Sequence, residues 1–340
     1  MVFLIREFFK SFIFSRKIKI GFVLGVFPSA YWGKIMASTR LRAYDVINNF
    51  NDDDNYFLEL YKPWKKYDVA IFQKKFDRNA LHLAQKLKSR GVKIILDINV
   101  NYYDPESQEK KYEYMHKEIM DFTKISDATI TGSSHINNYV KKLFPEKNII
   151  CIPENITDDF FSVKKEVGEN NDNLKLMYVG YAIKAKEVLS IEKTLKELRE
   201  KYDFKLIFIC EKNPKISLDG IETEFIKYNQ RKIPRQMLLG DIFIAPRDLS
   251  KPYNLGHSFT KIGYPMAVGI PIVASRVPAY ENSPAILCDT EDDWKINMER
   301  LLANKDSRKM LGEAGIDHCR KNYSQKEIKK EYEKFFKEIL

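Results

Sequence analysis

Three side chains that can hold an anion lie close together in this sequence. Ser258, Thr260 and Lys261 come at the predicted start of a helix, directly after a loop that contains Gly256. Because the first amides of a helix have no partner inside the helix, two hydroxyls and an ammonium beside them form a site for an anion such as phosphate. N-capping is an alternative role for the two hydroxyls, since a cap uses the same geometry.

A second group of candidate residues lies in the N-terminal half. Arg40 and Arg42 come at the start of the first predicted helix, where guanidinium groups can hold phosphate on a donor or on a lipid-linked acceptor. Asp97 ends a predicted strand and is a candidate base or acceptor-orienting group. The alternatives are surface charge for the arginines and a turn cap for Asp97.

The cluster Asp52–Asp54 is the most acidic short run near the first helix, and its composition resembles a metal-binding site. It follows a helix directly and is flanked by asparagines, which is typical of a turn. We therefore predict a turn here and no metal site in the chain.

The elements that must position these residues follow a regular pattern. Buried strands alternate with helices, and this predicts parallel sheets covered by helices on both faces. The predicted strands are Lys17–Gly25, Tyr67–Phe72, Val92–Asp97, Ala128–Gly132, Asn148–Pro153, Leu174–Val179, Lys205–Cys210, Asp241–Pro246 and Pro271–Ser275. Gly269 is predicted to end the helix that precedes the last of these strands.

The pattern is interrupted once, by the polar run Glu166–Asn173, and restarts at Leu174. A chain of 340 residues exceeds one ordinary domain, so this run is predicted to be a linker between two domains. The predicted organisation is an extension at 1–16, a first domain at 17–165, a second at 174–322 and a final helix at 323–340. The expected fold class is α/β, with two Rossmann-like domains that face a cleft.

The composition of the chain limits which binding partners and which cellular compartment are expected. Lysine and arginine total 57 against 47 acidic residues, a net charge of +10, which suits an anionic substrate or membrane surface. No nucleic-acid-binding motif accompanies this charge, so we predict no nucleic-acid partner. Four widely spaced cysteines fit a reducing cytoplasm, and no apolar stretch is long enough to cross a bilayer.

The segment Met1–Phe14 has an amphipathic pattern. Its phenylalanines and isoleucines fall on one helical face, and Arg16, Lys17 and Lys19 follow. An in-plane anchor on the cytoplasmic membrane surface has this composition, and so does an extra helix packed on the core. Both interpretations stay open.

The C-terminal half resembles a known family in several places. The stretch Ser258–Ser275 resembles the donor-binding motif of nucleotide-sugar glycosyltransferases of the GT-B class, and most closely the family 4 and group 1-type bacterial enzymes. Gly180 to Lys186 and Asp241–Pro246 follow the family order. Tyr67–Asp97 is similar to a subset that assembles bacterial surface polysaccharide such as capsule or lipopolysaccharide.

This resemblance implies a hexosyltransferase that moves a sugar from a nucleotide-sugar donor to a surface glycan, with a lipid-linked acceptor. It implies a retaining reaction without metal or cofactor, the nucleotide sugar being a co-substrate. It also implies a C-terminal helix that returns to the first domain, and a cytoplasmic enzyme on the inner face of the membrane.

The sequence departs from the family at the donor site. The two glutamates expected eight positions apart fall on Gly256 and Tyr264, and Tyr181 replaces the usual arginine. Lys186 keeps the lysine position, so the resemblance implies that Lys186 and Lys261 hold the donor diphosphate.

His257, beside the missing first glutamate, becomes a candidate contact to the donor sugar. The missing carboxylates keep two other functions open. One is a transferase-like subunit that binds without catalysis, and the other is a sugar-nucleotide epimerase of the same fold.

Overall fold

The structure, a computed structural model, describes residues 17–25, 37–107, 113–168 and 173–340. The chain forms two compact units. The first contains the chain up to Ile98, with Lys117–Ile130 and Phe336–Leu340. The second contains Asn99–His116 and Thr131–Phe335. The predicted extension at residues 1–16 and the centre of the predicted linker lie outside the described residues, and the predicted boundaries stay a prediction.

The first sheet has six strands in the order β2-β1-β3-β4-β5-β6. The pairs β1–β2, β1–β3 and β3–β4 are parallel. The strands are β1 (Ile18–Leu24), β2 (Tyr56–Leu60), β3 (Val69–Gln73), β4 (Lys93–Ile98), β5 (Ala128–Thr131) and β6 (Asn148–Cys151).

The second sheet also has six strands, in the order β12-β11-β10-β7-β8-β9, and every neighbouring pair is parallel. Its strands are β7 (Leu174–Val179), β8 (Phe204–Cys210), β9 (Thr223–Lys227), β10 (Ile242–Ala245), β11 (Ile272–Ser275) and β12 (Ile286–Cys288). Because β7 lies beside β10, and β10 beside β11, the carboxyl ends of these three strands share one edge of the sheet.

The described helices connect the strands. In chain order they are α1 (Ala37–Thr39, a π-helical turn Arg40–Tyr44, and Asp45–Asn49), α2 (Arg78–Lys88), α3 (Glu113–Ile125), α4 (Ser134–Leu143), α5 (Asp158–Phe161), α6 (Ala182–Ala185), α7 (Glu192–Arg199), α8 (Ile233–Met237), α9 (Pro252–Leu255), α10 (Thr260–Ala267), α11 (Glu291–Ala303), α12 (Lys305–Tyr323) and α13 (Gln325–Ile339). Among them, none has the length and hydrophobicity that a membrane crossing requires.

The strands β7, β8, β10 and β11 of the second sheet are buried on both faces, which is why they are almost continuously apolar. Leu176 of β7 and Phe208 of β8 point into one hydrophobic core. Their neighbours in the chain, Met177 and Ile207, point into another. Successive side chains on a strand face opposite ways, so one strand contributes to both cores. This rigid layer fixes the loops at its edge.

Two glycines allow α10 and α12 to pack closely. Gly269 ends α10 with φ +87°, a conformation that favours glycine. A Cβ added at Gly312 of α12 would lie 2.2 Å from the Gly269 carbonyl oxygen. Gly269 was predicted as the helix end from sequence, and this is confirmed, whereas the contact with Gly312 depends on the tertiary fold.

The end of α13 belongs to the first unit. The ring of Phe336 lies 6.1 Å from that of Phe50 and 5.4 Å from that of Tyr56, centroid to centroid. Phe336 is fully buried. The predicted return of the C-terminal helix to the first domain is thereby confirmed.

The predicted turn at Asp52–Asp54 is also confirmed. The Asp53 carboxylate accepts hydrogen bonds from the backbone amides of Asn55 and Tyr56, at 2.8 and 2.9 Å. The Asp53 carboxylate therefore satisfies backbone amides of its own turn.

Candidate active site

The candidate site lies at the carboxyl ends of β7, β10 and β11. Arg247 follows β10 by two residues and is fixed to the end of β11 by two hydrogen bonds. Its amide donates to the Ser275 hydroxyl oxygen at 2.8 Å, and that hydroxyl donates to the Arg247 carbonyl at 3.1 Å. This edge is where doubly wound sheets bind ligands.

Lys261, in the first turn of α10, reaches back to the end of β7. Its ammonium donates to the Val179 carbonyl and lies 3.8 Å from the centroid of the Tyr178 ring. No carboxylate of the described residues forms an ion pair with it. Burial lowers the pKa of Lys261 well below its usual value. The nearby Arg247 lowers this pKa further, and Glu187 partly opposes the shift.

Arg247 supplies a second cation. Its guanidinium is ion-paired with the carboxylate of Glu187, and its side chain is only 4% exposed. The pKa shifts of both Lys261 and His257 include a contribution from Arg247, so the three groups lie within electrostatic reach of one another. We call Arg247, Lys261, Tyr178 and Glu187 the cation cluster.

Several buried polar atoms around this cluster have no hydrogen-bond partner among the described residues. They are the Tyr178 hydroxyl, Arg247 Nε, Asn254 Oδ1 and His257 Nε2. Buried polar groups are nearly always satisfied by protein, water or ligand. These four atoms are therefore available to a polar ligand or to water at this strand edge.

Gly180, directly after β7, keeps this place open. A Cβ added there would lie 2.9 Å from the Tyr178 hydroxyl oxygen and 3.0 Å from the Lys261 ammonium nitrogen. Any larger residue would therefore displace two groups of the cation cluster.

His257 lies beside the cluster, on the loop between α9 and α10. Its ring centroid is 5.3 Å from that of Tyr253, with the planes nearly perpendicular, and the Lys184 ammonium lies 4.8 Å from the Tyr253 centroid. Burial lowers the pKa of His257 to about 2, helped by the charges of Arg247, Lys261 and Lys184. The imidazole is therefore neutral at physiological pH.

The remaining residues predicted to bind the donor differ in their contacts and exposure. The hydroxyls of Ser258 and Thr260 hydrogen bond to each other at 2.8 Å, and the N-cap residue of α10 is Phe259, so neither hydroxyl caps this helix. Lys186 and Tyr181 are exposed. The residue after Lys186, Glu187, lies in a 3-10 helix (Lys186–Ile191) and belongs to the cation cluster.

Tyr264 takes the place of a glutamate in the family pattern. Its ring stacks on that of Phe160, with centroids 4.2 Å apart and planes 7° from parallel. An aromatic pair of this kind gives apolar contact where a carboxylate would give charge. Tyr264 thus contributes packing at this position.

The candidates of the first unit are engaged with each other. Arg42 Nε and one terminal nitrogen donate to the two oxygens of Asp97 at 2.6 and 2.8 Å, and both side chains are almost fully buried. Arg40 pairs with Asp45 at 3.3 Å. Arg42 and Asp97 thus satisfy each other's charge in the structure, and their proposed roles toward phosphate and acceptor stay predictions.

Sequence reasoning missed Arg247, Glu187, Lys184 and Tyr178. Arg247 carried a signal, because it directly follows the motif strand Asp241–Pro246 at a ligand-binding edge. Glu187, Lys184 and Tyr178 gave no signal in the sequence, because their contacts depend on where the folded chain directs their side chains. No group of three metal-ligating residues occurs within the described part of the chain.

No protein-family model and no curated protein matches this sequence. Several solved structures, in contrast, are similar to this protein in fold. A glycosyltransferase from Rickettsia africae is 14% identical, has a TM-score of 0.62, and aligns over 95% of this chain and 99% of its own. Sucrose-phosphate synthase from Thermosynechococcus elongatus is 12% identical, with a TM-score of 0.59 over 80% and 74% of the two chains.

S. aureus TarM, in complex with UDP, α-GlcNAc-glycerol and Fondaparinux, is 12% identical, with a TM-score of 0.56 over 79% of this chain and 55% of its own. At these identities the similarity concerns the fold. The predicted GT-B class, with two Rossmann-like domains, is confirmed.

Proposed function

We propose that this protein is a glycosyltransferase that transfers a sugar from a nucleoside diphosphate sugar to a surface-glycan acceptor. The observation that carries the proposal is the cation cluster, in which Lys261 has no carboxylate partner and lies among buried, unpartnered polar atoms. The structural neighbours support the same reaction class: one is described as a glycosyltransferase, one is a sucrose-phosphate synthase, and TarM was solved with UDP.

The cluster suits the chemistry of a departing diphosphate. As the bond between sugar and phosphate breaks, negative charge grows on the leaving oxygen, and cations already fixed in place stabilise it. Arg247 has a planar fork that matches two phosphate oxygens, and Lys261 supplies a point charge. Glu187 holds the guanidinium in position.

Two cations at the leaving group make the reaction independent of a divalent metal. Positive charge is what such a metal would supply, and Arg247 and Lys261 supply it from the protein. We expect EDTA to leave the rate unchanged. Activity that EDTA abolishes and manganese restores would contradict this part of the proposal.

The finer features of the proposal come from the family resemblance. They are a retaining reaction and a lipid-linked acceptor of the bacterial surface-polysaccharide type. Neutral His257 is available to hydrogen bond with the donor sugar through its buried Nε2. Its low pKa leaves the imidazole unprotonated near neutral pH, so it cannot serve there as a general acid.

The direct test is to incubate the protein with a panel of nucleotide sugars and to measure released nucleoside diphosphate, with and without glycan acceptors. We expect release from one donor. Lys261→Ala should lose this activity, whereas Lys193→Ala should keep it, because Lys193 is an exposed residue of α7 with its own glutamate partners. Equal activity in the two variants would refute the role of the cation cluster.

A second candidate is a binding subunit without catalysis. It is favoured by Gly256 and Tyr264, which stand where the family carries carboxylates. Such a protein would bind a nucleotide sugar with measurable heat yet release no diphosphate with any acceptor. An epimerase would instead interconvert two nucleotide sugars without releasing diphosphate.

A further inference from the structure

A second positive region adjoins the cation cluster. Lys184 of α6 lies over the Tyr253 ring, and the other neighbour of that ring is His257. Lys184 forms no ion pair among the described residues. We call Lys184, Tyr253 and His257 the lysine–histidine pocket.

Partners other than Lys184 engage three acidic residues: Glu187 and Asp248, which lie near this pocket in the sequence, and Glu211, which contacts Ala182. Glu187 pairs with Arg247, and Glu211 accepts a hydrogen bond from the Ala182 amide at 2.9 Å. Asp248 accepts from the Ser250 hydroxyl and pairs with Lys251 at 3.1 Å. The charges that act on the His257 ring are those of Arg247, Lys261 and Lys184, all positive.

Three cations therefore lie within electrostatic reach of His257, beside a site proposed to hold a diphosphate. Glu187 neutralises Arg247, so Lys261 and Lys184 are the two that have no carboxylate partner among the described residues, and Lys184 is the one that shares the Tyr253 ring with His257. Beside it, His257 Nε2 is buried without a partner and can donate a hydrogen bond in the tautomer that carries a proton there. An ammonium and a neutral donor are a suitable pair for a carboxylate.

We propose that the donor sugar carries a carboxylate, as in a nucleoside diphosphate hexuronic acid, and that Lys184 and His257 bind it. This rests on the proposed function and names its substrate class. Gly256 supports it, because a glutamate at that position, next to His257, would repel an anionic sugar. The same pocket chemistry would also suit the second phosphate, so the test separates the two anions.

The experiment measures binding by calorimetry on the full chain. UDP and GDP are compared first, to identify the base. The matching neutral and acidic donors follow, UDP-glucose against UDP-glucuronate or GDP-mannose against GDP-mannuronate. The proteins are the wild type, Lys184→Met and the control Lys193→Met, each checked for folding by its Tm.

In the wild type we expect the uronate to bind at least ~10-fold more tightly than the neutral sugar, the effect of one charge-assisted hydrogen bond. Lys184→Met should remove most of this preference, and Lys193→Met should retain it. His257→Phe should reduce the preference as well, and His257→Gln, which keeps a donor, should reduce it less.

Three results would overturn the inference in distinguishable ways. Equal affinity of the wild type for uronate and neutral sugar would exclude a sugar carboxylate while leaving the transferase proposal intact. If Lys184→Met weakens the binding of UDP or GDP as much as the binding of the uronate donor, the pocket binds the diphosphate. Failure to bind any nucleotide would refute the proposed function itself.

Discussion

Replacing Lys261 by methionine should separate the activity of this protein from its stability. The ammonium of Lys261 is partly buried beside Arg247 and has no carboxylate partner among the described residues. Methionine has a similar length and no charge, so the variant removes the desolvated cation. It also leaves the Val179 carbonyl without this donor, which costs about 1–3 kcal/mol.

The two effects on stability oppose each other. Removal of a charge that has no carboxylate partner from a poorly solvated place is favourable, because burial of such a charge costs free energy. We therefore expect the free energy of unfolding to change by no more than about 1 kcal/mol. Activity should fall far more, since one charge-assisted contact to the leaving group contributes about 2–4 kcal/mol, or about 30- to 900-fold in rate.

The pH dependence gives an independent check. The folded pKa of Lys261 lies below its unfolded value of about 10.4. Between the two values the unfolded chain binds more protons, so stability increases as pH rises through that window. In Lys261→Met this contribution should disappear. Donor affinity of the wild type should fall as pH rises through the same window, and Lys261→Arg, which stays protonated, should show no such fall.

The assays are urea unfolding at several pH values and diphosphate release under single-donor conditions. Lys193→Met is the matched control, because Lys193 is exposed and its partners are on the surface. A Lys261→Met protein that unfolds several kcal/mol more easily would show that Lys261 is structural. A well-folded variant with wild-type turnover would refute its contact with the leaving phosphate.

Three further predictions test other features. Gly180→Ala should weaken nucleotide binding at least ~10-fold by displacing the cation cluster, whereas Gly168→Ala, which meets no atom within 4 Å, should bind normally; equal binding would contradict the steric argument. Arg42→Met should lower the free energy of unfolding by about 3–5 kcal/mol because Asp97 is left buried and unpaired, and adding Asp97→Leu should recover most of it in a urea titration. A double variant as unstable as the single one would exclude that cause. Deletion of residues 1–14 should abolish liposome flotation if this segment is a membrane anchor, and insolubility of the truncated protein would favour a packed helix instead.

Much of the secondary structure was predictable because it follows from local patterns. Apolar runs bounded by polar turns indicated nine of the strands, and Gly269 marked the end of α10. The strands that escaped prediction were β2, β9 and β12. In β9 every side chain is at least partly exposed, so its sequence lacks the buried run by which strands were recognised.

The candidate site divides in the same way. The sequence by itself determined that Lys261 starts a helix next to a glycine-containing loop, because helix starts and ends depend on neighbouring residues. Only the tertiary structure decided that Arg247 meets Glu187, 60 positions away, and that Arg42 meets Asp97, 55 positions away. Strand order brings the ends of β7 and β10 together, and packing then fixes which side chains touch. Neither the strand order nor the direction of a side chain is encoded in any local pattern. A charged residue that follows a strand therefore looks the same in the sequence whether it binds a ligand or pairs with another side chain.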